Sequence, residues 1–291
     1  RAYFADLASS GGSTSRALKL VLVGAGEAGK SSTLRGLLHN CKPKPYQADE
    51  RTVQLDIWQL RLGAGGAVTA SCWDFGGQPE YAAGQQQYLV PGALYLLFVP
   101  AHRTMKAGDE QTEVIDRWLD TLQARAPGAV VQIVLSHADR VDPPPPTKAV
   151  ADLESAAAPQ LAWIRGVVTA HQAAHKRHMG QAAARATAAG LEPKLSEPLK
   201  IRDHIACVCA ADGGGESLQA LRTNLNELVE AAPPLLPAVN LTIPRSWTMA
   251  MALTLALRDG RDGLAAARYA NAKAEEKAEA AQAKERAEAA A

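Results

Sequence analysis

Eight residues constrain this chain more than any others: Gly24-Ala25-Gly26-Glu27-Ala28-Gly29-Lys30-Ser31. Two glycines with four residues between them, followed by Lys and Ser, make a phosphate-binding loop pattern. The flanks agree with it. Leu18 to Val23 reads as a buried strand leading in, and Ser31 to His39 reads as a helix with Leu34, Leu37 and Leu38 at helical spacing. Glycines let consecutive backbone N–H groups curl around phosphate oxygens without a Cβ in the way, and the helix N-terminus adds a favourable dipole. Lys30 is expected to reach the terminal phosphates, the Ser31 hydroxyl to ligate Mg²⁺, and Ser32 to extend the cradle into the helix.

The chain must therefore supply a sheet, mobile loops and a base pocket around that element. Its 291 residues, 47% hydrophobic, suffice for a sizeable core, and 5% aromatic content makes that core aliphatic. A net charge of +1 lacks the electrostatic footprint of a nucleic-acid-binding chain. Cys41, Cys72, Cys207 and Cys209 show no CxxC spacing and read as reduced thiols of a cytoplasmic protein, neither zinc ligands nor disulfides. No apolar run approaches 18 residues, so no membrane span is expected.

Residues 1–16 read as a linker, and a first residue other than Met suggests a piece of something longer. Strands are expected at Leu18–Val23, Val53–Leu62, Ala67–Trp73, Ala93–Val99, Val130–Leu135 and Ile205–Cys209, the second and third forming a hairpin across Gly63-Ala64-Gly65-Gly66. Helices alternate with them, over Glu110–Leu122 and around Leu218, Leu221, Leu225 and Leu228. Such alternation predicts an α/β fold, a doubly wound, mostly parallel six-stranded sheet with one antiparallel hairpin. The Ala-rich stretch 142–200 is expected as a helical insertion elaborating the surface. Residues 17–232 are taken as the nucleotide domain, 233–262 as a linker opening a second domain, and 263–291 as a solvated Ala/Glu/Lys-rich helical tail.

Four further segments fall in the order a GTP-binding domain needs. Asp74-Phe75-Gly76-Gly77-Gln78 ends a strand: Asp74 is placed for Mg²⁺, the Gly77 N–H for the γ-phosphate, and Gln78 for the attacking water. Lys30, Gln78 and Gly77 are thus the catalytic candidates. Thr52 is a candidate to close over Mg²⁺ and the γ-phosphate; Arg51 beside it could supply transition-state charge in cis, but reads more readily as a solvated loop charge. After the fifth strand comes Ser136-His137-Ala138-Asp139, where Asp139 suits the paired N–H groups of guanine and His137 can cover the base. Cys209-Ala210-Ala211 ends the last strand, where a backbone N–H can meet the guanine O6.

These segments together make the stretch from Leu18 to Ala232 resemble a Roc domain, the Ras-like GTPase of Roco proteins. The residues that carry the resemblance are the phosphate loop, Trp73 to Gln78 with Tyr81 and Gln85 to Leu89 beyond it, the Leu94–Val99 strand, and His137-Ala138-Asp139. The resemblance implies a P-loop GTPase fold, GTP/GDP cycling with Mg²⁺, and slow intrinsic hydrolysis. It further implies an effector protein and homodimerisation through a following COR domain, whose opening Ile243 to Trp247 resembles. Ser136 stands where Asn is usual, and Gln54 where Gly is favoured after the switch Thr.

Three other readings of the residues stay open. The loop also resembles that of Gα or Arf-like GTPases, although the 22 residues from Lys30 to Thr52 cannot hold a Gα helical domain. A nucleotide-binding scaffold without hydrolysis is the second. The third takes His171, His175 and His178 as a metal site; Lys176 and Arg177 among them, with no carboxylate close in sequence, favour a solvated basic face.

Overall fold

The computed structural model describes residues 2–43, 52, 55–77, 82–103, 108, 110–193, 195–211, 213–232 and 234–258. The expectations for Arg51, Gln54, Gln78 and the 263–291 tail lie outside the described residues. The chain divides into two compact units, 16–239 and a second one made from both ends of the chain.

In the larger unit, β2 (Ala17–Gly24) lies between β4 (Val68–Phe75) and β5 (Leu94–Pro100), parallel to both. β3 (Leu55–Leu62) pairs antiparallel with β4, Leu62 opposite Val68, and closes the expected hairpin at one edge. β6 (Val130–Ser136) runs parallel to β5, and its far side pairs with both β7 (Lys200–Ile201) and β8 (Ala206–Val208). The sheet thus has seven strands where six were expected. The difference is one interruption: the edge facing β6 breaks between β7 and β8, and Gln132 reaches across to the His204 carbonyl at 2.7 Å.

Period-2 alternation divides the core. Val21 and Val23 of β2 join Tyr95, Leu97 and Val99 of β5 under α4 (Glu110–Arg125), α5 (Val150–Ala156) and α6 (Ala158–Ala188). Leu18, Leu20 and Leu22 join Leu94, Leu96 and Phe98 under α2 (Lys30–Leu38) and α7 (Gly215–Glu230). β5 and β6 are buried along their whole length, as continuous apolar runs predict for strands covered on both faces. The 142–200 stretch is more than a surface elaboration. Leu153, Ala157 and Ile164 are fully buried in the core, and Trp163 Nε1 donates to Thr112 Oγ1 at 3.1 Å. Its apolar residues cluster in the first half of α6, where they cover the sheet; from His171 onward the Ala-rich half has little to bury.

The smaller unit corrects the expected linker. Residues 2–10 form α1 (Ala2–Ser10), and β1 (Gly12–Thr14) pairs antiparallel with β9 (Thr242–Pro244) before α8 (Arg245–Arg258). A Ser/Gly-rich run reads as a connector, but Gly12 is where a strand needs one: a Cβ there would stand 2.9 Å from Thr242 Cγ2. Trp247 Nε1 donates to Asp6 Oδ2 at 2.9 Å, tying α8 to α1.

Candidate nucleotide site

All but one of the expected site residues among those described lie at or just beyond the carboxyl end of a strand: β2 for the loop, β4 for Asp74 and Gly77, β6 for Ser136 to Asp139, β8 for Cys209; Thr52 instead precedes the amino end of antiparallel β3, whose Leu55 stands opposite Phe75. Open α/β sheets bind ligands at that rim.

The loop's backbone is sorted by its neighbours. Lys30, 5% exposed, donates through Nζ to the carbonyls of Gly24 at 3.0 Å and Ala25 at 2.7 Å. Arg103 Nη2 donates to the Gly26 carbonyl at 3.1 Å. His137 Nε2 stands 3.2 Å from the Glu27 carbonyl, and the Ser136 hydroxyl donates to the Ala28 carbonyl at 2.7 Å. Five consecutive carbonyls are thus engaged by protein donors. Gly29, at φ 79°, caps α2 with no side-chain bond, so the helix N-terminus keeps amides for an anion. Glycine is required at Gly24, where φ is 138° and a Cβ would stand 2.6 Å from the Phe98 carbonyl oxygen. Burial is the largest influence on Lys30 and brings its pKa down to about 8, Arg103 adding to the fall while Asp74 opposes it.

A second cluster sits beside the lysine. Ser31 Oγ and Thr52 Oγ1 are 3.0 Å apart, and the Thr52 hydroxyl donates to Asp74 Oδ2 at 3.3 Å. Asp74 is 2% exposed, and its Oδ1 has no hydrogen-bond partner among the described residues. Burial pushes the carboxyl pKa up, against hydrogen bonds from Ser31 and Thr52 and the charge of Lys30. An orphaned, desolvated carboxylate oxygen beside two hydroxyls is a hard-oxygen set that fits Mg²⁺. Gly77 lies against the loop: a Cβ on it would stand 2.5 Å from both the Ala25 carbonyl oxygen and Lys30 Nζ. Gln85, nearly buried, holds the Gly76 carbonyl at 2.6 Å and anchors the same turn.

At the base end, His137 adopts the left-handed conformation at φ 52°, opening a short 3₁₀ turn that carries half-buried Asp139. The Cys209 thiol donates to the Ala211 carbonyl at 4.0 Å, and burial, with the charge of Asp139 nearby, holds the thiol up at about 11. The Cys209 amide is taken by Ser217 Oγ at 3.0 Å, so an amide for a base edge has to come from Ala210 or Ala211.

The family model described as "Ras of Complex, Roc, domain of DAPkinase" matches residues 19–139. Those residues form a Roc domain. They hold the loop, the Asp74 cluster and Asp139 together. Mouse leucine-rich repeat serine/threonine-protein kinase 1 is 31% identical over 130 residues, 43% of this chain and 6% of that protein. A Roc-COR-CHAT protease from an unknown prokaryotic organism is 35% identical over 116 residues, 36% of this chain and 11% of the protease. The matches thus span about a tenth or less of these relatives' own lengths. The structure of Methanosarcina barkeri Roco2 RocCORdC bound to GDP aligns with a TM-score of 0.49 at 19% identity, covering 84% of this chain and 57% of that one.

Two residues of the Roc domain's rim escaped the sequence reading, His102 and Arg103. They belong to no motif, and their signal was positional: they follow the end of β5, a central parallel strand whose carboxyl end had to open on the ligand. The His171 reading also needs amending, since Asp120 of α4 stands 3.4 Å from its Nδ1. No group of three or more His, Cys, Asp or Glu side chains that could hold a metal ion occurs among the described residues.

Proposed function

We propose that the Roc domain binds guanine nucleotide with Mg²⁺ and hydrolyses GTP to GDP and phosphate, as a switch within a larger protein. The observation that carries this reading is the convergence of Lys30, Ser31, Thr52 and Asp74 below a loop whose carbonyls are already engaged. Such a site has its donors arranged for a polyphosphate and its acceptors for one hard cation.

Ser31, Thr52 and Asp74 would hold the ion, which when bound offsets charge on the phosphate oxygens. The loop amides and Lys30 bind and orient the terminal phosphates; with its ammonium charged, Lys30 also stabilises the charge that develops as the γ-phosphoryl transfers. Gly77, with no side chain between its turn and the loop, offers its N–H to the γ-phosphate, and Gln78 is assigned to the attacking water. Arg103, already on the loop, keeps a third cation within reach of the same face. Loss of the γ-phosphate removes what holds Thr52 and Gly77 together, so both switch segments relax. Asp139 selects guanine because adenine lacks the paired N–H donors and would leave a carboxylate unpaired.

For the smaller unit, residues 2–15 with 240–258, we propose the opening of a COR region and a route to homodimerisation and to an effector protein. The four cysteines are buried and free, and the thiols of Cys72 and Cys207 are pushed up to about 12 by burial, which fits a reducing, cytoplasmic setting. No helix among the described residues is long and apolar enough to cross a membrane.

The test is binding of fluorescent GTP, GDP and ATP to the full chain with Mg²⁺, followed by phosphate release. Guanine-selective binding that Asp139→Asn abolishes, with slow phosphate release, is the expected result. Binding without release over hours would reduce the domain to a scaffold. Absence of guanine preference would remove the base-pocket assignment.

A further inference from the structure

The exit of β5 delivers two consecutive side chains to the nucleotide rim. Arg103 grips the Gly26 carbonyl, as described. His102 meets His137: the two rings stand edge to face, centroids 5.0 Å apart and planes at 88°. That is a favoured geometry for an aromatic pair, in which the positive edge of one ring addresses the negative face of the other. Among the described residues the His137 ring makes one hydrogen bond, Nε2 with the Glu27 carbonyl at 3.2 Å. Its approach to the loop depends on Gly29, where a Cβ would stand 3.2 Å from that same nitrogen. A ring fixed at one atom can still turn about that bond. The second contact, from His102, removes this freedom.

We propose that His102 is a positioning residue for the purine base: it fixes the plane of His137 so that this ring covers the base, and it acts on nucleotide affinity through His137. The inference rests on the guanine reading of the site and adds to it a residue outside the base motif. The charges that face the pair are Arg103 and Arg140, which disfavour a proton on His102, and Arg140 again for His137, with Asp139 opposing them in both cases. Burial is the largest influence on each ring and acts in the same direction as the arginines, so both rings are shifted toward the neutral form. Neutral rings suit an edge-to-face pair, whereas two imidazolium ions would repel.

The experiment measures affinities of the full chain for fluorescent GDP and ADP with Mg²⁺, in the wild type, His102→Ala, His102→Phe, His137→Ala and the double alanine variant. His102→Ala is expected to weaken GDP binding about three- to tenfold, the range an aromatic pair commands. His102→Phe, which keeps a ring edge without a titrating nitrogen, is expected to restore the wild-type affinity. The double variant is expected to bind no more weakly than His137→Ala alone, because the two residues act as one unit. A GDP-selective wild type with an unaffected His102→Ala overturns the positioning role. So does a phenylalanine that rescues nothing, or a double variant in which the two losses add. A wild type that binds GDP and ADP alike overturns the guanine reading first, and this inference with it.

Discussion

The ammonium of Lys30 is held by two carbonyls with almost no water around it, and its pKa falls to about 8 as a result. Bound phosphates favour the charged form, so the pKa in the complex lies above that of the free protein. Binding above pH 8 must then take up a proton, and affinity falls as pH rises through the free-state value. Between pH 7 and 8.5 the affinity for Mg·GDP is expected to drop about fourfold, measured by titration at constant ionic strength. A flat profile would place the lysine away from the phosphates. Asp74 carries the opposite burden, a carboxylate buried with one oxygen unmet. Asp74→Asn is expected to raise the melting temperature of the nucleotide-free protein by a few degrees, since about 1–3 kcal/mol of desolvation is relieved. The same variant should lose Mg²⁺-dependent GTP binding. If the variant melts lower than the wild type, the carboxylate is not an unmet charge. Gly77→Ala, whose new methyl would meet the Ala25 carbonyl, is expected to blunt the preference for GTP over GDP while leaving GDP binding near normal.

Among the elements, the β3–β4 hairpin is secured at its turn by α7. The Gly63 amide donates to Asn226 Oδ1 at 2.9 Å, and the Ala64 amide donates to Glu230. Asn226→Ala leaves a turn amide without its acceptor and is expected to cost about 1 kcal/mol, with faster hydrogen exchange confined to residues 62–66. Unchanged exchange there would mean that the turn is held by packing alone. The order of these elements could be read from the chain because their residues are locally consistent: unbroken apolar runs for β5 and β6, Gly-rich turns, 3.6-residue spacing in α4 and α7. That the motifs would gather at one rim of the sheet was legible for the same reason, each motif requiring particular residue types at fixed spacing. Contacts made across long separations were not legible. Nothing near Gly12 announces Thr242, and nothing near His102 announces His137; such pairs exist only once the chain has closed. The polar run Arg202-Asp203-His204 separates β7 from β8, and the two residues of β7 are too few to show a strand pattern, so one strand from Ile205 was expected where two occur. The core role of α5 and α6 was hidden by alanine, which packs as well as it solvates.

For the whole molecule, the two units make separable claims. β1 borrows its only strand partner among the described residues from beyond residue 240, so removal of residues 1–15 is expected to open 240–258 to limited proteolysis while nucleotide binding by 16–239 persists. Loss of nucleotide binding on that truncation would mean that the two units do not fold independently. The larger unit has its own consequence, set by the carbonyls of residues 24–28. Their bonding partners are the protein's own lysine, arginine, histidine and serine, so the shape of the loop backbone is set within the chain. A loop backbone shaped within the chain needs no remodelling to receive a nucleotide, and turnover is then a matter of departure followed by simple encounter. Exchange should run at a first-order pace that the concentration of the incoming nucleotide does not change, with capture afterwards at the rate diffusion and orientation allow.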